Sequence, residues 1–456
     1  MGNALRNIPS VDSLLADARM IDLVAQYGRS MVLNGIHKIL DRIRERSTEN
    51  NLIGGSINEI HQSVEEWCIA KTALSLRKVI NASGVIIHTN LGRAPLSEEA
   101  KQAMISIAGD YSNLEYDLES GKRGKRAAAI EEKLITLTGA EDAFVVNNNA
   151  SAVMLVLAAL ARRKRVVISR TQLVEIGGGF RIPEVLQQSG AKLYEIGTTN
   201  RVHLQDYEEA LQDVNAVILR AHHSNYKIIG FTTEPTLQEL VALAKRHGNL
   251  LIDDLGSGAV IDSSQFGVAH EPMVQESIQA GADVVCFSGD KLFGGPQAGI
   301  MLGKREVIKK IKKHPFARAV RADKLCLAAL EATIGHYLKE EALQKIPVWK
   351  MISMPVEECE RKVLHWKNVL KCGEMVSELS TIGGGSMPQE TLPTRVLAIK
   401  MKRINSFMEQ LRSLEIPIIA RIVQDQVIFD PRTVLESQEE IFLEELQQIL
   451  HKFDLR

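Results

Sequence analysis

A single lysine between two apolar runs is the residue of this chain best placed for covalent chemistry. Residues 283–303 read DVVCFSGDKLFGGPQAGIMLG. Val284 to Phe287 is a continuous apolar run, as in a strand buried on both faces. Ser288-Gly289-Asp290 breaks the run and delivers Lys291. Gly294-Gly295-Pro296 then makes a turn that suits neither helix nor mid-strand. Gly299 to Leu302 resumes as a second apolar run. An amine held among apolar residues and glycines is desolvated, which favours its neutral form and lets it attack a carbonyl. The glycines allow a planar ligand to lie against the backbone, and Ser288 offers a hydroxyl to a phosphate. The plain alternative is a surface turn that happens to contain a lysine.

A second element supports the chemical reading. Residues 249–258 read NLLIDDLGSG. Leu250-Leu251-Ile252 has the pattern of a buried strand, and it ends on Asp253 and Asp254. A carboxylate at the carboxyl end of a parallel strand points into the crevice where α/β sheets bind ligands. Pyridoxal phosphate needs both features: a lysine for its Schiff base, and an acid to keep its pyridine nitrogen protonated. Asp253 is the expected ring partner because it ends the apolar run directly. Asp254 is left as a cap for the following turn.

The chain has 456 residues, 45% hydrophobic and 24% charged, with a formal net charge of −1. The length calls for two or three domains. The balanced charge gives no global field for nucleic acid, though it leaves room for a local site. Cys68, Cys286, Cys326, Cys359 and Cys372 show no CxxC spacing, which suggests a reducing compartment and no zinc site. No apolar run approaches membrane-spanning length, and there is no basic start followed by an apolar core. The expected location is the cytoplasm.

The elements that must position the lysine follow in order. Residues 1–75 are expected to be a helical unit, with helices over Val11–Ala18, Ile21–Asp41 and Ile57–Ala73, the last capped by Ser56. Lys38, Arg42, Arg44 and Arg46 cluster in it, and a polar linker spans Thr48–Gly55. Residues 76–340 alternate strand and helix, which predicts a parallel α/β sheet. Its strands are Phe144–Val146, Val166–Ser169, Lys192–Ile196, Ala216–Arg220, Leu250–Ile252 and Val284–Phe287, and Val85–Ile87 is expected as a short strand before them. Amphipathic segments such as Leu204–Asp213 and Leu237–His247 lie between them. After Phe144–Val146, Asn148, Asn149, Ala150 and Ser151 open a helix whose amides suit a cofactor phosphate. Asn225 follows another strand and could reach a pyridoxal ring oxygen. Residues 341–456 are expected to be a small α/β domain, helical over 355–380, with strands in Thr394–Met401 and Ile416–Phe429 and a final helix.

Six segments now carry a resemblance: NASGVIIHTNLGRAPL (81–96), EIGGGFRIPEV (175–185), RAHHSNYKIIGFT (220–232), DDLGSG (253–258), SGDKLFGGPQAG (288–299) and HPFARAVRADK (314–324). Together, and in this order, they resemble the bacterial selenocysteine synthases, the L-seryl-tRNA(Sec) selenium transferases. The resemblance covers essentially the whole chain. It implies the fold-type I (aspartate aminotransferase-like) arrangement of pyridoxal-phosphate-dependent transferases. It implies that Lys291 holds the cofactor and serves as base, so that L-seryl-tRNA(Sec) becomes L-selenocysteinyl-tRNA(Sec) through an aminoacrylyl-tRNA, with selenophosphate as donor and no metal.

The same resemblance assigns anion-binding arginines to Arg93, Arg318 and Arg321, whose guanidinium forks suit a phosphate. It places Asp290, Thr198 and Thr199 nearby. It implies that the helical unit grips tRNA(Sec), and that the chain forms at least a dimer and, as family members of this length do, a decamer built as a pentamer of dimers. A rival is a small-molecule pyridoxal-phosphate ammonia lyase of the same superfamily, which would have no need of the first 75 residues. The other is a non-catalytic tRNA-binding relative, against which the intact Lys291 and Asp253 argue.

Overall fold

The computed structural model describes residues 8–50, 56–212 and 215–453, without the side chains of 46–50. Two compact units divide after Lys78. The Arg46 side chain, Asp213 and the glycine pair at 54–55 lie outside what is described.

The first unit contains helices Val11–Leu15, Ala18–Tyr27, Arg29–Asn50 and Ile57–Thr72. The side chains of Ser10, Asp17 and Ser56 each accept a first-turn amide, and Ser56 forms a full capping box with Glu59. The single helix expected over Ile21–Asp41 is two helices, because Gly28 sits at φ 82 and ends the first. The expected linker begins late: the third helix runs to Asn50. Met20, Val32, Ile36, Val64 and Cys68 are fully buried and form this unit's own core. Gly35 permits close helix contact, since a Cβ there would lie 2.9 Å from the Trp67 ring. Lys38, Arg42 and Arg44 are exposed, with Arg44 paired to Asp41 at 2.8 Å.

The second unit is built on a sheet of seven strands. In chain order these are β1 (Asp142–Val146), β2 (Arg165–Ser169), β3 (Lys192–Ile196), β4 (Ala216–Ala221), β5 (Leu250–Gly256), β6 (Val284–Ser288) and β7 (Gly299–Gly303). Their spatial order is β1-β7-β6-β5-β4-β2-β3. Only β7 runs antiparallel to its neighbours. Every residue of β6 and β7 is buried, as the continuous apolar runs require. Helices cover both faces. Val153, Val156 and Leu157 of the helix Asn149–Leu160 pack against Ile252, Val284 and Cys286. Leu240 and Leu243 of the helix Leu237–Arg246 belong to the core on the other face, with Leu251 and Val285. Successive strand residues therefore serve opposite faces.

The C-terminal part carries a five-stranded sheet, ordered Arg421–Val423, Gln426–Phe429, Thr391–Lys400, Glu374–Gly383 and Val85–Ile87. The last strand comes from before the seven-stranded sheet, and it pairs in parallel with Glu374–Gly383. Ile80–Asn81 likewise pairs with Ile418–Ile419. Residues 80–87 thus complete the C-terminal sheets. The expected helix over 355–380 stops at Leu370, and Glu374–Gly383 is a strand. Lys371 and Gly373 adopt positive φ, and the segment after them is held by pairing to Thr391–Lys400. Long-range pairing overrides the local pattern here. No helix among the described residues is long and apolar enough to cross a membrane.

Candidate functional site

The lysine turn is shaped by backbone contacts that only glycine permits. Ser288 ends β6 opposite Gly299, the first residue of β7. Between them, the Gly289 amide donates to Ala298 O and the Gly294 amide to Lys291 O, both at 2.9 Å. A Cβ on Gly289 would come within 2.6 Å of Pro296 O. A Cβ on Gly299 would meet the Asn148 carbonyl oxygen at 2.1 Å. The turn is thereby pressed against the segment that opens the helix Asn149–Leu160.

Lys291 is 4% exposed. Burial lowers its pKa below the usual lysine value, and the positive charge of Arg93 lowers it further. Two glycines keep space around the amine. A Cβ on Gly256 would lie 3.6 Å from Lys291 Nζ, and one on Gly385 would lie 3.0 Å from it. Gly385 comes from the loop after Glu374–Gly383, so both sheets of this unit meet at the lysine.

Lys291 faces a cleft of about 260 Å³ at the carboxyl ends of the parallel strands. Asp254, Asn149, Ser288, Asp290 and Arg93 share it. Asp254 Oδ1 accepts from Asn149 Nδ2 at 2.9 Å. Burial pushes the Asp254 carboxyl up to about 6, while Asn149 and Lys291 pull it down. Asp290 Oδ2 accepts from Arg93 Nη1 at 2.9 Å. Arg93 holds this position at φ 64, a left-handed backbone rare for a non-glycine residue, with its amide donating to His88 O. Asn148 caps the helix Asn149–Leu160 through its side chain, which accepts from the Ser151 amide at 2.8 Å. The preceding amides of that helix stand at the cleft wall with Ala150.

One expected residue is replaced by its neighbour. Asp253 does not enter the cleft. Its carboxylate accepts from Arg220 Nη1 at 2.8 Å and from Ser277 Oγ at 2.6 Å on the opposite face of the sheet. Asp254 is the acid that faces Lys291. The parity of the strand carried this signal: Asp254 pairs with Cys286, two residues before Ser288, so both lie on the cleft side.

Other expected residues stand outside the cleft. Asn225 is exposed and donates to Glu175 O at 2.8 Å. Thr198 and Thr199 are exposed, and the Thr198 hydroxyl donates to Arg201 O at 3.0 Å. Arg318 is exposed. Arg321 bridges to Val146 at the end of β1, but its side chain turns to Glu115, 3.5 Å away. Conversely, the cleft includes His222, Ser224 and Gly177, to which the sequence assigned no role.

This donor set fits pyridoxal phosphate. A buried lysine whose pKa is lowered, an acid facing it, a helix N-terminus and a serine hydroxyl are what its aldehyde, ring nitrogen and phosphate require. Two buried oxygens at the cleft, Asn149 Oδ1 and Asp290 Oδ1, have no hydrogen-bond partner, so the site has unused capacity for a polar ligand.

Comparisons with known proteins agree with this geometry. The profile of the L-seryl-tRNA selenium transferase family matches residues 79–435. That of the selenocysteine synthase N terminal region matches residues 5–44. The chain is 44% identical to L-seryl-tRNA(Sec) selenium transferase of Alkaliphilus oremlandii, over 98% of this chain and 99% of that one. It is also 44% identical to the protein of that name from Clostridium perfringens, with the same coverage. Among solved structures, D-glucosaminate-6-phosphate ammonia-lyase superposes with a TM-score of 0.58 at 20% identity, covering 83% of this chain and 97% of that one. The fold expected from sequence, the fold-type I arrangement, is the one present.

Proposed function

This chain belongs to the L-seryl-tRNA selenium transferase family, and from that premise we propose that its cleft converts L-seryl-tRNA(Sec) to L-selenocysteinyl-tRNA(Sec). The observation that carries the proposal is the desolvated Lys291 amine facing Asp254. Bound pyridoxal phosphate supplies an electron sink for the carbon that loses a proton, which lets the seryl hydroxyl depart. Lys291 Nζ, its pKa lowered by burial and by Arg93, takes the proton from the seryl Cα and later returns it. Asp254 would hold the proton on the ring nitrogen, and Asn149 fixes the direction of its carboxylate. The amides of Asn149 and Ala150, with the Ser288 hydroxyl, would hold the phosphate.

The selenium donor is proposed to be selenophosphate, an anion that Arg93 can clamp bidentately. Asp290 positions that guanidinium. Arg318, Arg321, Thr198 and Thr199 are proposed to join the clamp from a second copy of the chain, since sites of this fold are commonly built across a subunit interface. The assembly is proposed to be at least a dimer, and a decamer as a pentamer of dimers. The first unit, through residues 5–44 that match the N-terminal profile, is proposed to recognise tRNA(Sec) by shape and a few phosphates. The place of work is proposed to be the cytoplasm.

The test is spectroscopic. Pyridoxal-loaded protein is mixed with seryl-tRNA(Sec) and, separately, with seryl-tRNA(Ser), and the visible cofactor band is followed. A change with the first tRNA alone supports the proposal. A band that ignores both tRNAs hands the case to a small-molecule lyase.

A further inference from the structure

A second cavity adjoins the cleft. It encloses about 300 Å³, and His222 lines both spaces. Three carboxylates face it: Glu234, Glu271 and Glu390. Two are engaged. Glu234 accepts from Gln172 Nε2 at 2.6 Å, and Glu390 accepts from the Ala269 amide at 2.9 Å and lies 3.6 Å from Lys227 Nζ. Glu271 differs. It is 4% exposed, and its Oε1 completes no hydrogen bond, although His222 Nε2 stands 3.2 Å away. With His222 out of line for a hydrogen bond, this buried oxygen is incompletely satisfied, and a ligand hydroxyl would supply an aligned donor. Lys227, His222 and His223 stand beside these carboxylates, so neither sign of charge dominates and this cavity suits an uncharged, hydroxyl-rich ligand.

Resting on the reading that the substrate is seryl-tRNA(Sec), we propose that this cavity takes the 3′-terminal nucleoside of that tRNA. The seryl group is an ester of the terminal ribose. When the serine lies beside Lys291, the sugar is only a few bonds away, on a path that His222 borders. The ester leaves the vicinal ribose hydroxyl free, and that hydroxyl can give Glu271 Oε1 the aligned hydrogen bond that His222 does not complete. His223 and Tyr226, whose rings meet edge to face at 5.0 Å, give the cavity an aromatic wall for the base.

The experiment uses the full pyridoxal-loaded protein under single-turnover conditions. Its substrates are seryl-tRNA(Sec) with an intact end, with the terminal base removed, and with the vicinal hydroxyl replaced by hydrogen. Each altered end is expected to slow conversion at least about tenfold, with tRNA affinity in a gel shift unchanged. Glu271→Gln should slow the intact substrate by a similar factor but leave the deoxy substrate as it is with the parent protein. Ala269→Trp, which fills the cavity from an exposed wall, should make intact and base-less ends react alike. Equal rates for intact and base-less ends in the parent protein overturn the proposal. If the intact substrate fails to react at all, the function proposed above falls as well, which separates the two failures.

Discussion

Lys291 and the two adjacent aspartates carry separate predictions at the scale of single residues. Lys291→Ala should abolish selenocysteine formation and keep tRNA binding in a gel shift; turnover by that variant would remove the central assignment. Asp254→Asn should lower turnover by at least about a hundredfold and shift the visible cofactor band, because the ring nitrogen loses its acid. Asp253→Asn should instead reduce thermal stability, because it removes the fully buried carboxylate that pairs with the half-buried Arg220. A variant pair with these effects exchanged would place Asp253 at the ring. Asp254 also fixes a pH dependence. Its pKa in the folded chain is about 6, above the ordinary 3.8, so the folded state holds that proton more tightly than the unfolded state. Stability of the cofactor-free protein should therefore fall as pH rises through the window from about 4 to 6, by up to about 3 kcal/mol. Thermal melts of Asp254→Asn across this window should lack that fall.

At the scale of elements, the cleft exists because β7 runs back between β6 and β1 close enough to touch the Asn148 carbonyl. Gly299→Ala should push the Asn148–Ser151 segment outward. The expected result is cofactor affinity weakened by about tenfold or more with secondary structure retained, measured by pyridoxal phosphate titration and circular dichroism. Unchanged affinity would mean that the helix N-terminus does not hold the phosphate. The strand Glu374–Gly383 matters for a similar reason, because the loop after it delivers Gly385 to the lysine amine.

The whole molecule divides after Lys78 into two units with their own cores. A chain of residues 79–456 should still bind pyridoxal phosphate, and should lose discrimination of tRNA(Sec) in a gel shift. Unchanged tRNA affinity would move recognition to the second unit. The proposed clamp, with Arg318, Arg321, Thr198 and Thr199 coming from a second copy, predicts that turnover needs assembly. Light scattering of the intact protein should give a mass above that of one chain, and dilution to single chains should abolish turnover.

Continuous apolar runs in β6 and β7, helical spacing in residues 11–73 and glycines at a turn are local properties, so the lysine turn, the α/β sheet and the helical unit were legible in the sequence. Six separated segments between residues 81 and 324 were distinctive enough in their order to indicate the family. Which aspartate serves the cleft was not legible from the end of the apolar run. It depends on which face of the sheet the helix Asn149–Leu160 covers, and Asp253 and Asp254 differ only by that face. The strand at Glu374–Gly383 and the joining of Val85–Ile87 to it depend on hydrogen bonds between segments almost three hundred residues apart. His222, Glu271 and Gly385 are likewise unremarkable in their own segments. Only the closing of the chain brings a strand end, a turn and a distant glycine loop around one buried amine, because burial and proximity are properties of the packed molecule.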